Sequence, residues 1–527
     1  MKLKQKLKRL FSRFTFVALT IIFIFLYSVA LIAGVIYFSL VLFHQYLPDY
    51  TAYLYSAFAV LAWLIVVIAV FYVVNRDMLP ESKLPWILCI VTLNVLGVAI
   101  YIVFSFNRPT RVQQKRHKLF HEHARAFQEG SLSREYLEET LNSRADISTA
   151  LSVSSPSAVA YKDTKTRYFP SGERFFEALL IDLERAKKYI FLEFFIIAKG
   201  EMWNAVLEVL RRKVKDGVEV RVMYDDVGSM GRVHVRYYQT LRKMGIKCVK
   251  FNPFVPVVTN VHNYRDHRKI AIVDGTIAYT GGINLGDEYI NKLHLHGHWK
   301  DSAIRLEGVG VKSFVLLFLS MYNVQSSAEE YFAKYIPEYQ PYKDEGIVQV
   351  YGAGPRPVYN RQIAEDVFLN ILGGAKQYVF MTTPYLVIDY RLREALCLAC
   401  QRGVDVRIVT PKIPDKKLVF ALTRSNYMAL IKAGVKIYEY TPGFMHAKNF
   451  LCDGEIGVVG TINLDYRSLM HHYEDAVLMF QTKALKELKQ DFEETFALSE
   501  LQTEKSAKRN VIFRWILEII KVFAPLF

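Results

Sequence analysis

Apolar residues crowd the N-terminal part of the chain and then give way to alternation. No charged residue falls between Thr15 and Phe43, between Thr51 and Val74, or between Leu84 and Phe106. Each run is long enough to cross a hydrocarbon core, which takes about 20 helical residues. None carries the polar stripe of a soluble core helix. The pattern predicts a transmembrane region at 1–110 with spans at 15–43, 51–74 and 84–106. The first span exceeds a signal-peptide core of about 7–15 residues and reads as an uncleaved anchor. Residues 111–164 are polar and read as a helical, partly exposed connector. From about residue 165, amphipathic helical stretches alternate with short β-branched and aromatic runs, which predicts an α/β fold.

The soluble part repeats itself. Tyr189-Ile-Phe-Leu-Glu is matched by Tyr378-Val-Phe-Met-Thr, Gly217-Val-Glu-Val-Arg-Val by Gly403-Val-Asp-Val-Arg-Ile, and Gly245-Ile-Lys-Cys by Gly434-Val-Lys-Ile. Each pair marks a helix exit at Gly followed by a buried strand. Two similar lobes, 165–340 and 341–500, are expected. The last segment, 501–527, reads as an amphipathic helix: Arg514, Glu518 and Lys521 share one face, and Phe513, Trp515, Ile516, Ile519, Ile520 and Phe523 cover the rest. Such a helix either lies in a membrane interface or docks on its own domain.

Charge and cysteine content narrow the class. The 527 residues carry a formal charge of +16, which points to anionic partners. With 52% hydrophobic residues the chain is neither disordered nor collagen-like. Its five scattered cysteines exclude a disulfide scaffold and fit a reducing compartment. Two basic clusters without acids flank the apolar block: Lys2, Lys4, Lys6, Lys8, Arg9 and Arg13 before it, and Arg108, Arg111, Lys115, Arg116 and Lys118 after it. The positive-inside rule places both clusters on the cytoplasmic side. Three simple spans would separate them, so either one segment is re-entrant or interfacial, or one cluster lies outside. The expectation is a multi-pass protein of the bacterial cell membrane with its catalytic lobes on the cytoplasmic side.

The third repeat carries the chemistry. His267-Arg-Lys269-Ile-Ala-Ile-Val-Asp274-Gly275 is followed by Gly281-Gly282-Ile-Asn284, and His446-Ala-Lys448-Asn-Phe-Leu-Cys-Asp453-Gly454 by Gly460-Thr461-Ile-Asn463. The offset is 179 (446 less 267) for His, Lys, Asp, Gly and Asn alike. These residues resemble the phospholipase D superfamily, whose hallmark is a duplicated H-x-K-x4-D motif. Within it, Gly281–Tyr289, Trp299-Lys-Asp301, Arg305–Gly308, Asn463-Leu-Asp465-Tyr-Arg467-Ser468 and Glu474 resemble the bacterial cardiolipin synthases, as does Pro80–Trp86 in the apolar block. A third apolar segment departs from relatives that show two. The resemblance implies an α/β fold of two phospholipase D-like lobes with pseudo-twofold symmetry, preceded by transmembrane helices.

It also implies an activity. One His attacks the phosphorus of a phosphatidylglycerol and expels glycerol, leaving a phosphatidyl-histidine. A second phosphatidylglycerol, its hydroxyl deprotonated by the other His, then takes the phosphatidyl group to give cardiolipin. By the family pattern His267 is the nucleophile and His446 the acid/base; spacing alone allows either order. The same positions would serve a hydrolytic phospholipase D or a phosphatidylserine synthase, and a reading of another class is an inactive membrane scaffold. Neither cofactor, metal nor nucleic acid is expected.

The residues fit that chemistry. Phosphodiester exchange needs a nucleophile, an acid for the leaving alkoxide, and positive charge for the phosphoryl oxygens. In-line displacement calls for two groups on opposite faces, which two lobes supply by facing His267 and His446 across one cleft. On a strand, positions two apart share a face, so Lys269 and Lys448 accompany their histidines. Those lysines and the amides of Asn284 and Asn463 are expected on the phosphate oxygens, with Gly281, Gly282 and Gly460 allowing the backbone to approach. Asp274 and Asp453 complete the catalytic motif but sit at an odd offset from Lys, which assigns them turn or hydrogen-bonding support. Asp301 and Glu474 are expected to orient a His ring nitrogen. Cys397-Leu-Ala-Cys400 reads as two core thiols, and His294, His296 and His298 as a polar loop. His471 and His472 receive no role.

Overall fold

The computed structural model describes residues 48–105, 131–155, 157–254, 264–326, 332–339, 346–356 and 361–526, with a few isolated positions besides. The expected first span, 15–43, and, Gln114 apart, the basic run at 107–118 lie outside the described residues. The chain divides into two compact units, one built on Met1–Arg108 and the other on Pro109–Phe254 with Val261–Pro525.

In the first unit, helix α1 (Pro48–Asn75) contains a 20-residue stretch, Ser56–Asn75, long and apolar enough to cross a membrane. The expected span at 84–106 is not one helix. It is two, α2 (Pro80–Leu93) and α3 (Val95–Ser105), broken at Asn94, which takes φ 54°. The second helix folds back on the first: a Cβ on Gly97 would lie 2.2 Å from the Cys89 carbonyl oxygen, and the Trp86 and Tyr101 rings meet at 5.3 Å. Glycine allows this approach, and Asn tolerates the left-handed turn. At 1.5 Å per residue the 14- and 11-residue helices reach about 21 and 16 Å, short of a core of about 30 Å.

The second unit holds two mixed sheets. In chain order the first half supplies β1 (Ala160–Tyr161), β2 (Thr164–Phe169), β3 (Tyr189–Phe194), β4 (Glu219–Asp225), β5 (Lys247–Phe251), β6 (Lys269–Val273), β7 (Ile277–Gly281), β8 (His298–Lys300) and β9 (Ala303–Gly308). The second half supplies β10 (Ile347–Ala353), β11 (Tyr378–Thr382), β12 (Leu386–Val387), β13 (Asp405–Pro411), β14 (Lys436–Tyr440), β15 (Gly443–Met445), β16 (Asn449–Cys452), β17 (Ile456–Gly460), β18 (Leu464–Asp465), β19 (Glu474–Phe480) and β20 (Ser499–Leu501). One sheet runs β2-β9-β7-β6-β3-β4-β5 and the other β10-β19-β17-β16-β11-β13-β14, with β1 and β20 added at its edges. Both have two parallel pairings, β3–β4–β5 and β11–β13–β14, and antiparallel ones elsewhere. The repeats read from the sequence thus fall on equivalent strands. β3 is buried at every position, which explains a run that is apolar apart from Glu193.

The helix Val311–Ser326 lies between the halves with 13 residues buried, in one apolar cluster with side chains of both sheets. The expected connector is helical and partly exposed where it is described, and it also packs into the core. Helices α4 (Arg134–Leu141) and α5 (Ala145–Ser154) bury Leu137, Leu141, Ile147 and Leu151 in that cluster, and β1 pairs with β10. Buried Ser148 and Gln349 hydrogen-bond at 2.9 Å, which gives this polar stretch its place in the core. At the other end, β20 extends the second sheet. A C-terminal helix, α6 (Val511–Phe523), buries Leu517 beside Val387, Leu422 and Tyr466 while Ile512, Trp515 and Ile519 stay exposed. The docked reading of this helix therefore describes one of its faces, and the other is apolar and exposed.

Candidate active site

The motif histidines sit just ahead of regular strand, by two residues for His267 and three for His446. β6 begins at Lys269 and β16 at Asn449. His267 and His446 occupy the extended segments leading in, and their backbones pair with the opposite half. His267 N donates to Tyr473 O at 2.9 Å, and His446 N donates to Lys300 O at 2.7 Å. The residue after each accepting carbonyl is an acid, Glu474 or Asp301. Two further links hold the exchange in register: the Asp266–Tyr473 bridge, and β8 paired in parallel with β15.

Each acid then meets the histidine of the other half. His267 Nδ1 lies 2.9 Å from Glu474 Oε2, and His446 Nδ1 lies 2.6 Å from Asp301 Oδ2. All four side chains are buried. Burial pushes His267 down to about 3, against the pull of Glu474, and His446 down to about 4, with the Lys448 charge adding to the fall. Burial alone would raise both acids, but the histidines hold Glu474 well below the usual carboxylate range and, with Lys448, keep Asp301 low. The consistent state at neutral pH is a neutral imidazole donating Nδ1–H to a carboxylate. Nε2 is then the unprotonated ring nitrogen.

The lysines share this desolvation. Burial lowers Lys269 to about 8 and Lys448 to about 7. Lys269 Nζ donates to His267 O at 2.5 Å, and Lys448 Nζ lies 2.9 Å from His446 Nδ1. The Lys269 charge also bears on His446 and Lys448, so both motifs contribute to one electrostatic site. Aromatic rings wall it: Phe195 stands 5.0 Å from His267, while Tyr289, Trp299 and Phe444 surround His446.

Other expected site residues are placed differently. Asp274 and Asp453 take φ of 52° and 54° in the turns after β6 and β16. Asp274 accepts the backbone N–H groups of Lys187, Lys188 and Tyr189, and Asp453 those of Lys376, Gln377 and Tyr378. Each carboxylate is filled by backbone amides and clamps a strand end, in the turn and hydrogen-bonding position that the odd offset from Lys assigned. The glycines are crowded by neighbouring protein atoms. A Cβ on Gly281 would meet Ser302 O at 2.3 Å, one on Gly282 Asp301 Oδ1 at 2.0 Å, and one on Gly460 Asp475 O at 2.4 Å. They make room for the neighbouring strand and for the His446 partner. Asn284 is tied at both ends, accepting from Ile196 N at 3.0 Å and donating to Tyr289 Oη at 2.7 Å. Asn463 keeps a buried Oδ1 without a hydrogen bond.

Sequence reasoning missed several residues. Arg268, buried inside the first motif, donates to Glu474 O at 3.2 Å and to Tyr359 Oη at 3.0 Å. Thr461 Oγ1 donates to Glu474, and Arg144 from the expected connector grips Asp453. His472 packs 5.4 Å from the His267 ring, with Nδ1 3.6 Å from Glu474 Oε1. A strand alternation applied to His471-His472 could have put one of them on the Glu474 face; Arg268 and Arg144 left no signal. His267, His472 and Glu474 are also a group of three possible metal ligands among the described residues. His267 and Glu474 are already bonded to each other there. His298 of the alternating run is bonded to Tyr440 instead, at 3.0 Å.

Comparison with known proteins locates this arrangement. The family profile described as "Cardiolipin synthase, PLD-like domain" matches residues 179–294 and 368–496. A cardiolipin synthase of a Geobacillus species is 32% identical over 88% of this chain and 92% of its own length. Cardiolipin synthase 1 of Bacillus cereus is 32% identical over 88% and 93%. An uncharacterized protein of Streptococcus mutans is 46% identical over 69% of this chain and 79% of its own. Among solved structures, the phosphatidylserine synthase of Haemophilus influenzae aligns with a TM-score of 0.53 at 13% identity, over 69% of this chain and 93% of that one, a likeness of fold.

Proposed function

The chain belongs to the bacterial cardiolipin synthase family of phospholipase D-like proteins, and from that premise we propose that its paired histidines transfer a phosphatidyl group between two phosphatidylglycerol molecules. The observation that carries the reading is the double exchange of His267–Glu474 and His446–Asp301 between the sheets. The sheets are the cores of two lobes related by a pseudo-twofold axis, and the exchange gives each lobe's histidine its orienting acid.

Nε2 of His267 attacks phosphorus. The P–O bond to the headgroup glycerol breaks, and the alkoxide takes a proton from His446. That proton enters with substrate: an anionic phosphate between the histidines raises a pKa that burial alone had lowered. Lys269 and Lys448 carry the charge of the phosphoryl oxygens, with the Asn463 amide beside them. The hydroxyl of a second phosphatidylglycerol then gives its proton to His446 and attacks phosphorus. The P–N bond breaks, and cardiolipin and glycerol leave. One P–O ester replaces another, so no nucleotide is consumed.

The substrate lies in a bilayer, and we place the protein there through α1 and the apolar face of α6, with the catalytic lobes on the cytoplasmic side where both basic clusters belong. The test is purified full-length protein with labelled phosphatidylglycerol and no added cofactor. Cardiolipin plus glycerol is expected. Phosphatidic acid would mean a hydrolase, and a serine lipid formed on adding serine would mean the phosphatidylserine synthase activity.

A further inference from the structure

The odd number of apolar segments conflicts with two basic clusters of the same sidedness, and the geometry of α2 and α3 removes the conflict. We propose that Pro80–Ser105 is a re-entrant helical hairpin that dips into the bilayer and leaves by the face it entered, its sides packed against lipid hydrocarbon. The inference rests on the membrane reading above.

The two ends of the hairpin lie at one level. Tyr101, near the end of α3, accepts a hydrogen bond from Arg76 at 2.8 Å and packs its ring on Tyr72 at 6.4 Å. Phe104 packs on Trp86 at 6.3 Å, near the start of α2, and Lys83 Nζ donates to Val74 O at 2.7 Å. Entry, exit and the end of α1 therefore share a belt. That belt holds every charge between residues 76 and 105, Arg76, Asp77, Glu81 and Lys83, together with the Trp and Tyr rings favoured at interfaces. The opposite end is the turn at Asn94, where Leu93 and Val95 are 45% and 43% exposed.

Lipid is the occupant the surface fits. Between the belt and the tip no side chain is charged, and Leu84, Leu88, Val91, Ile102 and Val103 face outward. The outward side of α1 continues the same character with Trp63, Ile68 and Phe71. The inner seam is closed by Gly97 on Cys89, so little unpaired backbone meets hydrocarbon, and the turn carbonyl of Asn94 accepts from Val98 N at 3.2 Å. A hairpin of this depth reaches about two-thirds of the way across the core. Counting the crossing that the sequence alone leads one to expect at 15–43 and the one by α1, the basic clusters before residue 14 and after residue 106 fall on the same side.

The experiment is cysteine labelling of full-length protein in intact and permeabilised cells, using a membrane-impermeant maleimide. The five native cysteines are replaced by alanine, and single cysteines are introduced by Tyr50→Cys, Asp77→Cys and Ser131→Cys in variants that retain activity. Ser131 is exposed, and no apolar run separates it from the hairpin exit. The expected result is that 77 and 131 react together, only after permeabilisation, while 50 reacts in intact cells. If 77 and 131 react from opposite sides, α2 and α3 cross the membrane and the inference is wrong. If they agree but react from outside, the hairpin stands and the cytoplasmic placement falls. Release of the protein by alkaline carbonate would sink the membrane reading and the hairpin with it.

Discussion

Asp301 and His446 come from different sheets, yet their side chains meet at 2.6 Å, and His267 and Glu474 repeat the exchange in the opposite sense. Neither half of the chain can assemble an oriented histidine alone. His267→Ala and His446→Ala are therefore each expected to lower turnover by at least about 10³-fold, and the double variant to be hardly worse, because groups acting in one cycle are non-additive. Assays on purified single and double variants check this. A single variant with substantial activity would break the shared site.

Glu474→Gln and Asp301→Asn keep shape and hydrogen bonding but lose the charge that fixes the tautomer. Each is expected to cut kcat by roughly 10³- to 10⁴-fold with little change in KM. Histidine NMR of the folded variants, reading which ring nitrogen is protonated, separates this effect from simple unfolding.

The motif aspartates behave otherwise. Asp274→Ala and Asp453→Ala each remove the acceptor of three exposed or part-buried backbone N–H groups, and a lost hydrogen bond costs about 0.5–1.5 kcal/mol. Thermal unfolding is expected to shift down, while the protein that remains folded keeps turnover within a few-fold. An activity loss as deep as that of His267→Ala at unchanged stability would return these residues to the chemistry.

Gly282→Ala tests the glycine reading. Its Cβ would sit 2.0 Å from Asp301 Oδ1 and push the carboxylate from His446. Activity is expected to fall like that of Asp301→Asn. If the glycine instead served phosphate approach, KM would rise with kcat unchanged.

Acidity follows from burial. The nucleophile must be neutral, and His267 is lowered to about 3. Protonation of the free enzyme is thus delayed, and the acid limb of kcat/KM on soluble short-chain phosphatidylglycerol should lie well below pH 6.5. Stability has the same sign. The unfolded histidine takes a proton below about 6.5 while the folded one does not, so its contribution is complete above that pH and falls as pH drops. An acid limb at or above 6.5 would contradict the buried neutral pair.

Much of this was legible in sequence where local pattern decides structure. The duplicated offsets gave equivalent strands, since a strand buried on both faces imposes a short, mostly apolar run. The two histidines were named because the motif recurs in both halves, and Asp301 and Glu474 partly through the family resemblance. What was hidden depends on distant packing. Nothing local to Leu84–Phe106 distinguishes one span from two helices except Asn94 and Gly97, whose fold-back becomes visible only once Cys89 and Trp86 are in contact with α3. The role of the glycines is not written in sequence for a related reason: a missing Cβ shows that something comes close, but not whether it is phosphate or strand. Arg144 reaches Asp453 across 309 positions, beyond any sequence window.

The central claim is a covalent phosphatidyl-histidine formed inside one cleft. Rapid alkaline quenching of the enzyme with labelled phosphatidylglycerol, followed by peptide mass analysis, tests it most directly. The account predicts label on the peptide bearing His267, abolished by His267→Ala and accumulating more slowly in His446→Ala. Cardiolipin formed at full rate with no label on either histidine would contradict it.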